Sequence, residues 1–294
     1  MKLKNLYQLP VLLVLTAMVF LTGCEKDNNI PIPELGEITL NRTPIGLDQT
    51  VIASCFIPLG SGVTEEGCFF TLNGGEMQQA QIAVGRITAT FRTTVLGSNV
   101  ITFYVTTNSK HVIETTKTFS VISCDVRNSF WGEEIFWSLV NTPELTKSTN
   151  DLFIAGFAQD NLSSFAAPLT VSYRFTNNRL SQVTELSEIL FDAGSEGNYL
   201  AKYTEIKLAL SEIYGNPITE LEYILNGNAE ELLPYDEDRE GNAEYAQQIG
   251  ESIVSGQASL RCEFRSSTTS VVFDVYKNVL SGKVAFLRTY NPLK

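Results

Sequence analysis

The sequence predicts an α+β protein in which an all-β domain precedes a mixed domain of helices and antiparallel strands. Three observations lead to this fold class. Short β-rich runs recur between turn signals from residue 37 to 122, helical stripes appear only after residue 123, and the second region repeats a pattern at a fixed offset. With 294 residues, 44% of them hydrophobic, the chain is long enough to form two buried cores.

The chain begins with a positive segment, an apolar run and a cysteine. Lys2 and Lys4 precede the uncharged stretch 9–21, whose roughly thirteen residues suit a secretory signal and are too few to span a bilayer. Leu21-Thr22-Gly23-Cys24 follows, and it resembles the lipobox of bacterial lipoproteins. The resemblance implies removal of a signal peptide, residues 1–23, and lipidation of Cys24. The alternative is an ordinary secretory peptide with an incidental cysteine.

Residues 24–36 are polar and contain Pro31 and Pro33, which favour an extended tether. The charged residues 25–27 resemble part of the surface-export signal of Bacteroidota lipoproteins. Multiple acyl chains, at about 0.8 kcal/mol for each buried methylene, anchor a protein stably. We therefore expect a protein that is held in the outer membrane by lipid on Cys24 and faces the cell surface rather than the periplasm.

The charge of the chain restricts its partners. The sequence holds 21 basic and 33 acidic residues, and its formal net charge of −12 becomes more negative when Lys2 and Lys4 leave with the signal peptide. Nucleic-acid binding requires clustered lysine and arginine that displace counterions. We therefore expect no nucleic-acid partner.

The cysteines after Cys24 suggest one disulfide. Cys55 and Cys68 lie in neighbouring predicted strands. A compartment beyond the inner membrane permits a bridge between them, although the sequence fixes no distance. Cys262 alternates with apolar neighbours, which indicates a small buried core residue.

Residues 37–122 predict an immunoglobulin-like β-sandwich. About seven short strands alternate with turn signals such as Asn73-Gly74-Gly75. In the run 99–105, alternate side chains point to opposite faces, with Ile101 and Phe103 on one of them. The region also resembles the Ig-like modules that lie next to the anchor in many lipoproteins.

Residues 123–294 predict helices over 131–140, 199–214 and 242–255, each followed by strands. An offset of 89 residues superimposes two strand patterns: Val171, Tyr173, Phe175 and Val183 fall on Leu260, Cys262, Phe264 and Val272. This predicts a duplicated αβββ domain with helices on one face of an antiparallel sheet. The region resembles β-lactamase-inhibitor-protein-like and PepSY-like folds and an uncharacterised group of secreted bacterial domains. The alternative is an accidental similarity of hairpins.

The sequence lacks the common catalytic motifs. It contains no GxSxG and no SxxK, and a single histidine, His111, excludes a zinc site of the HExxH type. Residues 236–247 approach the EF-hand pattern, but position 12 is Gln247 rather than glutamate. We therefore expect no catalytic residue, no metal and no cofactor.

The stretch 129–137 holds both tryptophans of the chain, Trp131 and Trp137, with two phenylalanines beside them. Exposed rings of this kind stack on sugars or anchor a protein partner, whereas buried ones fill a core. The adjacent carboxylates Glu133 and Glu134 point in different directions on a helix, which argues against a glycosidase pair. Trp131 and Trp137 are therefore candidate ligand contacts.

Together these patterns predict a lipid-anchored cell-envelope binding protein without catalytic activity. The first hypothesis is a protein partner, such as another envelope protein, held across the sheet face. The alternative is a carbohydrate-binding accessory lipoprotein of a surface glycan-uptake system. A solvent-accessible Trp131 or Trp137 in a concave site would favour the alternative.

Overall fold

The computed structural model describes residues 34–57, 63, 65–107, 110–233 and 242–293. The protein is mostly β, with 45% of it in strands and 17% in helices. Its buried side chains form two cores, one within residues 38–121 and the other within residues 126–290. No helix in the described ranges is long and apolar enough to cross a membrane. Cys24, the predicted signal peptide and most of the tether lie outside those ranges.

The N-terminal strands form two sheets, with the orders β1-β3-β7-β6 and β2-β9-β8-β4-β5. Neighbouring strands are antiparallel except β2 and β9, which are parallel. The strands are β1 (Thr39–Leu40), β2 (Ile45–Gly46), β3 (Thr50–Phe56), β4 (Cys68–Leu72), β5 (Gln78–Gln79), β6 (Gln81–Ala83), β7 (Arg86–Arg92), β8 (Gly97–Thr106) and β9 (Val112–Ile122).

Alternation of side chains explains how these two sheets share one core. Ile101, Phe103 and Val105 of β8 are fully buried, as the two-residue period of a strand requires. Ile87 of β7, in the other sheet, belongs to the same core. The predicted β-sandwich is therefore confirmed, while its immunoglobulin-like connectivity stays a prediction.

The C-terminal strands form one antiparallel sheet with the order β10-β11-β12-β13-β18-β17-β16-β14-β15. The strands are β10 (Thr146–Lys147), β11 (Leu152–Phe157), β12 (Leu169–Thr176), β13 (Arg179–Ile189), β14 (Tyr223–Leu225), β15 (Asn228–Glu230), β16 (Ala258–Arg265), β17 (Thr269–Lys277) and β18 (Val284–Pro292). The helices of the described residues are α1 (Ile135–Asn141), α2 (Asn198–Tyr214) and α3 (Asn242–Val254).

The predicted α+β fold class is wrong, because strands rather than helices dominate both parts of the chain. The helix expected over 131–140 spans only Ile135–Asn141. Trp131 and Gly132 form a turn instead, and the next two residues pair with a strand: the backbone of Glu133 accepts a hydrogen bond from Leu180 N at 2.8 Å, and Glu134 pairs with Arg179 in an antiparallel bridge. Pairing with a neighbouring strand thus replaced the expected first helical turn.

The two strand patterns of the predicted duplication keep the same phase in their first strands, where Val171, Tyr173, Phe175 and their counterparts Leu260, Cys262 and Phe264 are all buried, but not in their second strands. Val183 is fully buried, whereas Val272, its expected counterpart, is only half-buried on the opposite face of its strand. A register shift between Arg174 and Phe175 of β12 contributes to this difference. The internal duplication of residues 123–294 therefore stays a prediction.

Helices α2 and α3 pack against each other and against β16 and β17. The sequence places Tyr203, Ile206, Leu210 and Ile213 on one helical stripe, and the first three are buried whereas Ile213 is 59% exposed. The ring of Tyr203 stacks on Phe273 at 5.1 Å. The segment just before α2 approaches α3 closely at Gly250, where a Cβ atom would lie 2.0 Å from the carbonyl oxygen of Glu196. This contact requires glycine.

We expect Gly250→Ala to lower the free energy of unfolding by about 1–3 kcal/mol or more, because the added methyl group meets backbone that has to move. Gly156→Ala is the matched control, since its Cβ atom would have no neighbour within 4 Å. Urea unfolding of both variants measures the difference. Equal stability of the two variants would contradict the close approach of Gly250 and Glu196.

Candidate functional site

A buried ion pair joins the sandwich to the C-terminal part. Arg42, between β1 and β2, donates through Nη2 to Glu133 Oε1, and only 7% and 4% of the two side chains is exposed. Asn141 and Gln49 complete the polar junction. Arg42 Nη1 donates to Asn141 Oδ1 at 3.3 Å, and Gln49 Nε2 donates to the carbonyl oxygen of Asn128 at 2.9 Å. The sequence offered no local signal for this junction.

Burial raises the pKa of Glu133, and the Arg42 guanidinium opposes that rise. Two weaker contacts also reach the carboxylate: Asn141 Nδ2 donates to Oε1 at 3.4 Å, and Gln49 Nε2 donates to the same oxygen at 3.5 Å. Charged hydrogen bonds of this kind are needed to offset the cost of removing a carboxylate from water. The pair therefore holds the junction together only while all its partners are present.

A cleft of about 530 Å³ opens beside this ion pair. Its walls come from both parts of the protein. The residues between β1 and β2 contribute Asn41, Arg42, Thr43 and Pro44, and the C-terminal part contributes Asp125, Phe130, Trp131, Gly132, Glu133, Glu134, Trp137 and Arg179. We call this site the junction cleft.

Both tryptophans line the junction cleft, and both are half-buried. The indole of Trp131 donates to Thr269 Oγ1 at 2.8 Å, and its backbone N donates to Asp125 Oδ2 at 2.9 Å. The Arg42 guanidinium lies 5.2 Å from the centroid of the Trp137 ring, within the range of a cation–π contact. The structure thus brings Trp131 and Trp137, the predicted ligand contacts, into one site and fixes each ring from one side.

A tight turn places the two rings. Gly132 adopts φ +76°, a conformation that favours glycine, and its N donates to the carbonyl oxygen of Leu180 at 3.0 Å. Arg179 at the start of β13 donates to the Gly132 carbonyl oxygen at 2.8 Å and to Glu134 Oε1 at 3.2 Å. The β13 strand therefore supports the segment that carries Trp131 and Trp137.

A second cavity of about 210 Å³ lies in the C-terminal part, over a buried charge network. Arg288 is 1% exposed, and it lies 3.0 Å from Asp160 Oδ2 and 2.9 Å from Glu185 Oε2. Arg127 also contacts Glu185, and the Tyr290 hydroxyl donates to Glu185 Oε2 at 2.8 Å. Two arginines face two carboxylates, so the formal charges of the network balance, but among the described residues Asp160 Oδ2, Arg288 Nε and Arg288 Nη2 have no hydrogen-bond partner.

The other predicted site residues lie away from the cleft. Cys55 of β3 and Cys68 of β4 are fully buried in facing sheets of the sandwich. Burial raises the pKa of Cys55 to about 12, and Cys68 adds to this rise. Their disulfide stays a prediction, as does the lipid on Cys24. Within the described ranges, no group of three or more His, Cys, Asp or Glu side chains is suited to a metal. Residues 236–241 of the acidic loop lie outside those ranges.

Comparison with known proteins identifies no family for this chain. No protein-family model matches the chain, and no curated protein does. CopC from Methylosinus trichosporium OB3b matches with a TM-score of 0.24 and 17% identity, covering 31% of this chain and 94% of CopC. A carbohydrate-binding module of the β-sandwich superfamily matches with a TM-score of 0.27 and 10% identity, covering 88% of this chain and 91% of the module. At these scores neither match carries an argument about fold or function.

We expect Arg42→Met to lower the free energy of unfolding by about 3–5 kcal/mol, because it leaves the Glu133 carboxylate buried without its cation. The double variant Arg42→Met/Glu133→Leu should lose less, since it removes both charges. Arg92→Met is the control, because Arg92 and its partner Asp48 are more than half exposed. If Arg42→Met were no more harmful than the control in urea unfolding, the junction would not depend on this pair.

The carboxyl group of Glu185 makes the stability of the protein depend on pH. Burial alone would raise the pKa of Glu185, but Arg288 and Arg127 outweigh it and lower the pKa below its ordinary value of 4.5. The ionised side chain therefore stabilises the fold above that value, and this stability is lost as the pH falls through the lower pKa of the folded protein.

We expect Glu185→Gln to be less stable than the wild type at pH 7 and to lose less stability between about pH 7 and pH 3. Chemical unfolding at several pH values measures both effects. Glu114→Gln, on an exposed position of β9, is the control. A variant that kept the full acid sensitivity of the wild type would contradict the assignment to Glu185.

Proposed function

We propose that this protein is a lipid-anchored binding protein of the cell envelope and that a carbohydrate binds in its junction cleft. One observation carries the proposal: Trp131 and Trp137 are both partly exposed and line the same concave site. Indole rings present flat apolar faces of large area at a small cost in conformational entropy. Such faces suit the C–H faces of sugar rings, which favours a carbohydrate over a protein partner at the sheet face.

The polar groups around the rings support the same ligand class. Sugar hydroxyls both donate and accept hydrogen bonds, so their site needs both kinds of partner. Asn41 supplies an amide, Arg179 a guanidinium and Glu134 a carboxylate, and all three line the junction cleft. The last two are exposed, so a ligand reaches them without displacing the buried pair below.

The size and position of the cleft are also those of a small-ligand site. Its volume lies within the range of about 300–1,000 Å³ that is typical of such sites, and junctions between domains are frequent places for them. A lipid on Cys24 and the tether 24–36 would hold this cleft at the outer membrane, as an accessory of glycan uptake requires.

The proposal contains no catalytic step. The two adjacent carboxylates in the cleft are held apart in different environments. Glu133 is buried against Arg42, whereas Glu134 lies at the rim beside Arg179. Binding and release of the sugar are therefore the whole of the proposed activity.

We expect a glycan from a panel of oligosaccharides to change the tryptophan fluorescence of the chain 24–294 carrying Cys24→Ser, which removes the acceptor of the lipid. Because both tryptophans of the sequence line the cleft, this signal reports the site itself. Trp137→Ala should weaken binding by about tenfold or more, because it removes one stacking face. Calorimetric titration of wild type and variant gives the two affinities.

The control is Phe56→Ala, which removes an aromatic ring that is 50% exposed on the sandwich and does not line the cleft. It should bind the glycan as the wild type does. If the folded wild type bound no glycan, or if Trp137→Ala bound as tightly as the control, the carbohydrate proposal would fail, and a search for protein partners would replace it.

A further inference from the structure

The junction cleft continues beyond its rim. A second concavity of about 510 Å³ is lined by Glu134, Ile135, Phe136, Asn177, Asn178 and Arg179. Glu134 and Arg179 line the junction cleft as well, so the two concavities share one boundary. We call the second concavity the hairpin subsite, because two of its residues form the turn between β12 and β13.

The hairpin subsite offers the same chemistry as the cleft. The Phe136 side chain is 61% exposed, and its ring lies edge-on to Trp137 with the centroids 4.8 Å apart. Asn177 and Asn178 adopt φ +52° and +63°, which is typical of a two-residue hairpin turn, and both are exposed. An aromatic ring thus stands beside two amides that donate and accept hydrogen bonds.

The side chains of Glu134 and Arg179, at the boundary between the two concavities, are accessible to a ligand. Glu134 and Arg179 are 58% and 60% exposed, and an exposed ion pair contributes little to stability. Arg179 Nη1 also donates to the Gly132 carbonyl oxygen, a hydrogen bond that does not involve the Glu134 side chain. Sugar hydroxyls can therefore replace the contact between these two side chains at small cost.

We infer that the ligand is an oligosaccharide chain that occupies the junction cleft and the hairpin subsite together and crosses the Glu134–Arg179 pair. This inference rests on the proposed function, because it assigns the length of the glycan that the tryptophan site holds. A single sugar fills one concavity only. A chain fills both and contacts the rings of Trp137 and Phe136 in turn.

The test measures affinity against chain length. The chain 24–294 with Cys24→Ser is titrated by calorimetry with malto-, cello- and chito-oligosaccharides of one to six units. In the series that binds, affinity should rise at least about tenfold from the shortest ligand bound to the hexasaccharide. Phe136→Ala should lower the affinity for the hexasaccharide about tenfold and leave that for the shortest ligand unchanged.

A second variant removes the amides without straining the turn. In Asn177→Gly/Asn178→Gly, glycine tolerates the positive φ values of both positions. It should weaken binding of the hexasaccharide only. Asn226→Gly is the matched control, because Asn226 has φ +49° in the turn between β14 and β15, at the other end of the sheet.

The outcomes separate the two proposals. If short and long chains bind equally and both subsite variants behave as Asn226→Gly does, the chain inference is overturned while the carbohydrate site stands. If no oligosaccharide of any length binds the wild type, the carbohydrate site falls and the inference falls with it. Selective loss of long-chain affinity in both subsite variants supports the inference.

Discussion

The buried ion pair between Arg42 and Glu133 is the constraint on which the rest of the site depends. It joins two parts of the chain that each have their own core, and both of its residues line the same cleft as the two tryptophans. The Arg42 guanidinium also faces the Trp137 ring, and Glu133 belongs to the turn that carries Trp131. A buried pair offsets the cost of its desolvation only with additional hydrogen bonds. Asn141 and Gln49 supply them to Arg42 Nη1 and Glu133 Oε1, whereas Arg42 Nε and Glu133 Oε2 have no partner among the described residues. The same contacts therefore fix the domain junction and the shape of the cleft.

Local periodicity predicted the elements of this protein better than their arrangement. Strand alternation placed Ile101 and Phe103 in a core, and helical spacing placed Tyr203 and Leu210 in another, because both patterns reflect burial of neighbouring residues. The proportion of strand to helix was not predicted: the sequence indicated an α+β protein, and the structure is mostly β. The sequence also did not predict on which face of its strand Val272 lies. That face depends on bulges and on turn geometry, which similar sequences do not determine.

In the candidate site, too, local residues were predicted and contacts between distant segments were not. The sequence pointed to Trp131 and Trp137 as candidate contacts because aromatic rings of this kind are unusual outside a core or a binding surface. It gave no sign of Arg42, which lies 91 residues before Glu133 and meets it only through the packing of the two parts. The helix expected over 131–140 concealed the turn at Gly132, whose positive φ depends on contacts with Leu180 and Arg179. The sequence thus indicated only the two tryptophans of the site, and side chains on distant segments complete it.

The most direct test of the account is a ¹H–¹⁵N correlation spectrum of the folded protein that follows the two indole N–H signals during titration with a glycan that binds. The tryptophans of the cleft are the only two in the sequence, so each signal has one of two assignments. The account predicts that both signals shift along with backbone amides of residues 41–43 and 177–179, which belong to different parts of the chain. Shifts confined to the open face of the C-terminal sheet, with both indole signals unchanged, would contradict it.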